Sequence, residues 1–290
     1  MSKIINGKII AGAIKRQLKE EISQMDVKPT LSVILVGDDA ASQVYVRNKH
    51  KACDEVGIRS IQINLSKDVT EDVLISKINE LNADNSVHGI LVQLPIPKHI
   101  DVKKVISAID PRKDVDGFTQ NSSFTPCTPA GVLDLLDGIP DYDIARKTAL
   151  VIGRSDIVGK PVAKLLLDRN CTIIQAHSKT PKDVLCKMFS FADIVVSAVG
   201  RTDIISKYDA EDYFKDNRHD FYGNFSNKRD RIIIDVGINR DENGKLCGDF
   251  SESFKEKYSS FYTPVPGGVG PMTIAMLLKN TILAAKLTKY

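Results

Sequence analysis

Apolar residues along the first third of the chain switch between helical and strand spacing. Ile14, Leu18 and Ile22 recur every four positions and predict a core-facing helix over residues 11–25. The run Leu31-Ser32-Val33-Ile34-Leu35-Val36 then reads as a buried strand. A helix carrying Tyr45 and Lys49, a strand over 58–65, a helix over 71–81 and a strand over 89–93 continue the alternation. Such a pattern implies a mostly parallel sheet covered by helices, with ligands bound beyond the strand C-termini. Gln93 lies at such an end, where Leu94-Pro95-Ile96-Pro97 halts the strand.

A loop-rich stretch, Asp110-Pro111-Arg112-Lys113-Asp114-Val115-Asp116-Gly117, leads to Cys127-Thr128-Pro129-Ala130-Gly131 and a short apolar helix ending near Asp137. The chain crosses to a second lobe here. A second alternating unit follows, with strands over 149–152, 172–176, 193–198 and 231–236, and a helix over 159–168. Residues 208–230, dense in Asp, Asn, Lys and Arg, read as a long surface excursion. The segment Thr263-Pro264-Val265-Pro266-Gly267-Gly268-Val269-Gly270-Pro271 opens a last helix over 272–286, whose apolar positions return it to the first lobe.

Composition narrows the partners. The 290 residues allow two ordinary cores. Hydrophobic content of 42%, charged content of 27% and a net charge of +3 describe a globular protein with too little charge to suggest nucleic acid or a membrane surface. Small molecules are the expected partners. The five cysteines include no C-x-x-C pair, which argues for reduced thiols in a cytosolic protein and against a zinc site. The first nineteen residues are basic, yet their apolar spacing runs on into Glu20 and Glu21, as in a helix of the fold rather than a transit peptide.

Strand 149–152 enters Gly153-Arg154-Ser155-Asp156-Ile157-Val158-Gly159, a turn that opens a helix. That arrangement lets backbone N–H groups and the helix dipole meet a pyrophosphate. Its spacing is G-x-S-x-x-x-G, and a purely structural strand-to-helix turn fits the local sequence equally well. The following strand ends in Gln175-Ala176-His177-Ser178-Lys179-Thr180, with no acid to hold a ribose 2′-hydroxyl. Arg154, Ser178 and Lys179 suit a 2′-phosphate, so NADP rather than NAD is expected.

Tyr45 and Lys49 stand four residues apart and share a helix face. With Gln93 and Asp116 they come from elements that could converge at one sheet rim. A flat aromatic stacks on a planar ligand, and a desolvated lysine can move protons. A glutamine can orient that lysine, and a carboxylate can accept hydrogen bonds from a ring amide and amino group. From spacing alone, an exposed tyrosine beside a solvated charge is the commoner explanation of such a pair, and an Asx turn is an equal rival at Asp116. His50, His88, His99 and His219 read as ordinary polar residues. Gly267, Gly268 and Gly270 permit close backbone approach to a ligand, although a rigid linker would use the same residues.

These segments together resemble the methylenetetrahydrofolate dehydrogenase/cyclohydrolase family. The resemblance rests on Tyr45-Val46-Arg47-Asn48-Lys49, Val92-Gln93-Leu94-Pro95, Lys113-Asp114-Val115-Asp116-Gly117-Phe118, Cys127-Thr128-Pro129, Gly153-Arg154-Ser155 with Val158-Gly159-Lys160-Pro161, His177-Ser178-Lys179-Thr180, Asp235-Val236-Gly237-Ile238-Asn239 and Pro264 through Thr273. It implies a two-lobed α/β fold: a folate-binding catalytic domain over 1–125 and 266–290, and a Rossmann-like NADP-binding domain over 126–265. It also implies NADP-dependent oxidation of 5,10-methylenetetrahydrofolate to the methenyl cation and hydrolysis to 10-formyltetrahydrofolate. By the same resemblance Lys49 transfers protons, Gln93 tunes it, Tyr45 stacks on folate and Asp116 holds the pterin. Val92, Leu94, Pro266, Gly267, Gly268, Val269 and Gly270 would line that site, and Gly153, Arg154, Ser155, Ser178 and Ile238 would contact NADP. A cytoplasmic homodimer serving one-carbon metabolism and purine biosynthesis is the implied setting.

Two departures from the family pattern stand out. Residues 203–230 are longer and more polar than is usual, with Thr202 where proline is common, and Asp249-Phe250 closes a shortened connection. A short-chain dehydrogenase also uses Tyr-x-x-x-Lys, but there the pair follows the nucleotide turn. A non-catalytic folate-binding module would be expected to change Lys49 or Gln93. A dehydrogenase without cyclohydrolase action stays open on sequence alone.

Overall fold

The computed structural model describes residues 3–206, 209 and 230–287. The surface excursion expected over 208–230 therefore lies outside the described residues, apart from Asp209 and Asp230. The chain runs β1 (Lys3–Ile4), α1 (Gly7–Ser23), β2 (Thr30–Val36), α2 (Ala40–Val56), β3 (Arg59–Leu65), α3 (Glu71–Ala83), β4 (Gly89–Val92), α4 (Val102–Ser107) and α5 (Cys127–Asp137). It continues through β5 (Thr148–Ile152), α6 (Gly159–Asp168), β6 (Thr172–Ala176), α7 (Lys182–Phe191), β7 (Ile194–Ser197), β8 (Ile232–Asp235), β9 (Asn239–Arg240), β10 (Leu246–Cys247), α8 (Glu252–Tyr258), β11 (Phe261–Tyr262) and α9 (Val269–Leu287).

Contacts divide the chain into two compact units, Ala11–Cys127 with Thr273–Tyr290 and Met1–Ile10 with Thr128–Met272. The first ten residues thus fall with the nucleotide turn, not with the lobe expected over 1–125. The reason is pairing: β1 lies parallel to β11, with Lys3 opposite Phe261 and Ile4 opposite Tyr262. Residues 266–272 fall in the same unit, where the Lys8 N–H donates to the Gly267 carbonyl at 3.1 Å.

In the Ala11–Cys127 unit, a three-stranded parallel sheet has the order β3-β2-β4. β2 is buried along its whole length, because helices cover both faces of a parallel sheet. Ile34, Val36, Leu74, Ile78, Ile90, Val92 and Val105 form its core. Each such side chain contributes about 1.5–3 kcal/mol when fully buried.

The other unit carries a six-stranded parallel sheet, β1-β11-β8-β7-β5-β6. Its core joins Leu150, Val195 and Ile233 to an aromatic group of Phe189, Phe250, Phe254 and Tyr258. The Phe250 and Phe254 rings stack with centroids 5.1 Å apart. Helix α7 fills a stretch that the hydrophobic pattern leaves unassigned. Its buried face is Leu185, Cys186, Phe189 and the polar Ser190, with too few apolar positions to show a helical period from sequence. Among the described residues no helix is long and apolar enough to cross a membrane.

Candidate active site

In the smaller sheet the chain moves from β2 to β3 on one side and to β4 on the other, so a topological switch lies between β2 and β4. Crevices of this kind, at strand C-termini, are where open α/β sheets bind ligands. Helix α2 starts here. The Asp39 carboxylate accepts from the Ser42 N–H at 2.8 Å and caps its first turn. Gly57, at φ 95°, ends the helix by donating its N–H to the Cys53 carbonyl. The intervening turns bury Ser42, Val46, Lys49, Ala52, Cys53 and Val56 on one face, and burial raises the Cys53 thiol to about 12.

Lys49 is the charged member of that buried face, 9% exposed. Its Nζ donates to Gln93 Oε1 at 2.8 Å. Gln93 in turn donates from Nε2 to the Leu94 carbonyl at 2.7 Å, and its backbone N–H bonds the Ile34 carbonyl of β2. The amide is thereby fixed with oxygen toward the ammonium. Tyr45 stands one turn earlier on α2 and is 37% exposed. Val92 is buried in the core beneath Gln93, while Leu94 is half-buried against it.

Asp116 sits in a loop built by its neighbours. The buried Asp114 carboxylate accepts from the Gly117 N–H at 3.1 Å and from the Thr119 N–H and hydroxyl at 2.7 and 2.8 Å. Gly117 adopts φ +79°, and a Cβ there would meet Pro126 at 2.7 Å. On α9, Asn280 donates from Nδ2 to the carbonyls of Val115 at 2.9 Å and Thr125 at 3.0 Å. Burial pushes the Asp116 carboxyl up, against the opposing pull of the Lys49 ammonium. Burial likewise holds the Cys127 thiol well above its ordinary range, with the Asp116 charge adding to the effect. Lys49, Gln93 and Asp116 thus belong to one electrostatically coupled group. Asp114, within the Lys113–Phe118 motif, and Asn280, which leaves no local sequence signal, support it.

In the other unit, the order β6-β5-β7 makes a second switch, between β5 and β7. The nucleotide turn follows β5. Gly153 adopts φ +123°, and a Cβ there would lie 2.5 Å from the Ala198 carbonyl that follows β7. A Cβ on Gly159 would lie 2.4 Å from the Gly153 carbonyl. Both glycines are demanded by close backbone approach. The Ser155 hydroxyl accepts from the N–H groups of Val158 and Gly159, each at 3.2 Å. These two amides are therefore engaged within the turn itself. Arg154, Ser155, Ser178 and Lys179 are exposed around it, and Ile238, beyond β8, is 48% exposed. The end of β6 carries no acid; Gln175 there donates to the Gly153 carbonyl at 3.0 Å. This cradle, with cations in place of an acid, fits NADP.

Pro266, Gly267, Gly268, Val269 and Gly270 lie in this same unit. Gly267 takes φ +112°, and a Cβ on Gly7 of α1 would lie 1.9 Å from the Gly268 carbonyl. Their close packing is therefore against the start of α1. His88, read as an ordinary polar residue, is buried and accepts from the Thr30 N–H through Nδ1 at 3.1 Å.

A parallel sheet whose switch point carries a nucleotide cradle, joined in one chain to a unit with a buried lysine–glutamine pair, defines a two-domain dinucleotide-dependent enzyme. The model of the tetrahydrofolate dehydrogenase/cyclohydrolase catalytic domain matches residues 5–116, and that of its NAD(P)-binding domain matches residues 126–216 and 221–289. The chain belongs to this family. It is 48% identical over 301 residues to the bifunctional protein FolD of Acetivibrio thermocellus, covering 99% of this chain and 98% of the relative. The FolD of Listeria innocua is 47% identical, with the same coverage. Among solved structures, the bifunctional FolD dehydrogenase/cyclohydrolase of Campylobacter jejuni superposes with TM-score 0.88 at 40% identity, covering 99% of both chains. The Trypanosoma brucei FolD, complexed with NADP cofactor and inhibitor, gives 0.86 at 33% identity over 99% of this chain and 98% of that one.

Proposed function

We propose that this chain oxidises 5,10-methylenetetrahydrofolate with NADP and then hydrolyses the methenyl cation to 10-formyltetrahydrofolate. The observation that carries the reading is the buried Lys49 ammonium, held 2.8 Å from an amide oxygen whose own NH2 is engaged by the Leu94 carbonyl. NADP supplies the hydride acceptor, and the protein's part in that step is to hold two rings in a reactive geometry. We assign the cofactor contacts to Gly153, Arg154, Ser155, Ser178 and Ile238. Tyr45 stacks on the folate, and Val92, Leu94 and the segment Pro266 to Gly270 line its site. Asp116 accepts from the pterin ring amide and amino group. Those donors would replace the water that burial takes from its carboxylate.

Hydrolysis asks more of side-chain chemistry. Water adds to the methenyl carbon and loses one proton; the bond from that carbon to ring nitrogen N5 breaks, and N5 gains a proton. Overall one water proton ends on N5 and the other is released. Lys49 is the group that relays these protons, and Gln93 keeps its Nζ in place. A cytoplasmic homodimer in one-carbon metabolism and purine biosynthesis belongs to the same proposal.

Lys49→Met tests it. Methenyl hydrolysis, followed by loss of methenyl absorbance, is expected to fall by roughly 10²–10⁴-fold, as removal of a positioned proton-transfer group can cause. NADP reduction should persist to a measurable degree. Hydrolysis at the wild-type rate would remove Lys49 from the mechanism.

A further inference from the structure

Two buried carboxylates lie outside the nucleotide turn and take no part in the chemistry above. Asp235, at the end of β8, accepts from the N–H groups of Gly237, Asp249 and Phe250 at 3.1, 2.9 and 3.0 Å. Its carboxylate therefore fixes the backbone that presents Asp249. The Asp249 carboxylate is fully buried and receives four donors. Oδ2 accepts from the Ser197 hydroxyl at 2.7 Å and the Val199 N–H at 2.9 Å. Oδ1 accepts from the Arg201 N–H and from Asn239 Nδ2, both at 3.0 Å. Glycines make room for the arrangement: a Cβ on Gly237 would lie 2.0 Å from Asp249 Oδ1, and one on Gly248 would lie 2.1 Å from Asp235 Oδ2.

These donors lie at and just beyond the C-terminal ends of two neighbouring parallel strands, β7 and β8. Val199 and Arg201 flank Gly200 just after β7, and Asn239 follows Ile238 just after β8. The first loop also begins at Ala198, whose carbonyl is the close neighbour of Gly153 in the nucleotide turn. One carboxylate thus ties together the strand ends on which the cofactor cradle rests. We propose that Asp249 is the positioning residue of the cofactor site, fixing the post-β7 loop and Ile238 so that NADP meets a preformed wall. The proposal rests on the cofactor reading above and extends it to a residue that never touches the nucleotide.

The chemistry of the four donors gives a sharp variant. Asn in place of Asp249 keeps the shape but turns one acceptor into an NH2. On one side the Ser197 hydroxyl can rotate and accept from it; on the other Asn239 Nδ2, which also donates to the Gly248 carbonyl at 3.1 Å, stays a donor. A backbone N–H cannot adapt. Whichever way the new amide turns, Val199 or Arg201 loses its acceptor, and the post-β7 loop bears the loss.

Full-length wild type, D249N and D249A would be compared in NADPH binding by fluorescence, NADP KM and kcat, methenyl hydrolysis without NADP, and thermal melting. D249N is expected to weaken NADPH binding by about tenfold or more, the cost of one unpaired buried donor, and D249A by more. Folate KM and cofactor-free hydrolysis should stay at wild-type values, an internal control that a merely structural role would not respect. If D249N melts below assay temperature, Asn239→Ala, which deletes one side-chain donor, is read in the same way. Unchanged NADPH affinity, or parallel loss of hydrolysis and binding, would overturn the proposal. Ile238→Ala separates it from the cofactor reading: unchanged NADPH binding there sinks the assignment of Ile238. Weakened binding there beside normal binding in D249N sinks the role of Asp249.

Discussion

Replacing Asn280 by Ala should injure folate binding although Asn280 itself is no proposed ligand. Its Nδ2 donates to the Val115 carbonyl at 2.9 Å and the Thr125 carbonyl at 3.0 Å, the two sides of the loop that presents Asp116. A net hydrogen bond contributes about 1 kcal/mol, so losing two costs about 2 kcal/mol. At roughly 2–4 °C per kcal/mol for a protein of this size, the midpoint should fall by about 4–8 °C. The functional loss has a different origin. With its tether gone, Asp116 must be reordered whenever the pterin binds, and about 1.4 kcal/mol diverted to that ordering raises folate KM roughly tenfold. NADP KM should not move. Asn280→Asp, which keeps the volume but removes both donors, should behave alike. Steady-state kinetics in both substrates with thermal melting would decide; a melting loss accompanied by unchanged folate KM would refute the argument that the tether serves Asp116.

Gly159→Ala would place a Cβ 2.4 Å from the Gly153 carbonyl, so NADPH binding should be largely lost while methenyl hydrolysis persists; fluorescence titration beside the hydrolysis assay checks both. For His88, burial first and the Lys113 ammonium second hold the imidazole below its ordinary 6.5, with Asp84 opposing them. Its folded value is depressed, so the stability it contributes is present above about pH 6.5 and is lost as pH falls through the folded value. His88→Gln should flatten the acid side of the stability curve, measured by denaturant melts between pH 5 and 8 on the scale of histidine titration; an identical slope in both proteins would remove His88 as its source.

Much of this architecture is legible in the order of residues because parallel strands buried on both faces leave uninterrupted apolar runs. Leu31 to Val36 and Ala149 to Ile152 are read for that reason, and they fix where both switch points fall. The lysine–glutamine pair is legible as residue types on a helix face and at a strand end, although only coordinates show that the Leu94 carbonyl engages the amide. What escapes is non-local or backbone-directed. Asn280 serves carbonyls about 155–165 residues earlier in the chain, and Asp249 serves loop amides about 50 residues away; no periodicity marks such partners. Ser155 was legible as part of a nucleotide turn, but its use of the Val158 and Gly159 amides depends on a rotamer. Helix α7 escaped because only three apolar residues mark its buried face.

The pairing of β1 with β11 also has a consequence in time. Lys3 and Ile4 are made 258 residues before their partners Phe261 and Tyr262. The Ala11–Cys127 segment can begin to collapse early around its own core, while β1 must wait for that long intervening stretch before its sheet can be completed. Closing so long a loop is slow and leaves an unpaired edge exposed meanwhile. Altering those few N-terminal residues should therefore be felt in how the nucleotide unit is finished, at the far end of synthesis from where the change was made.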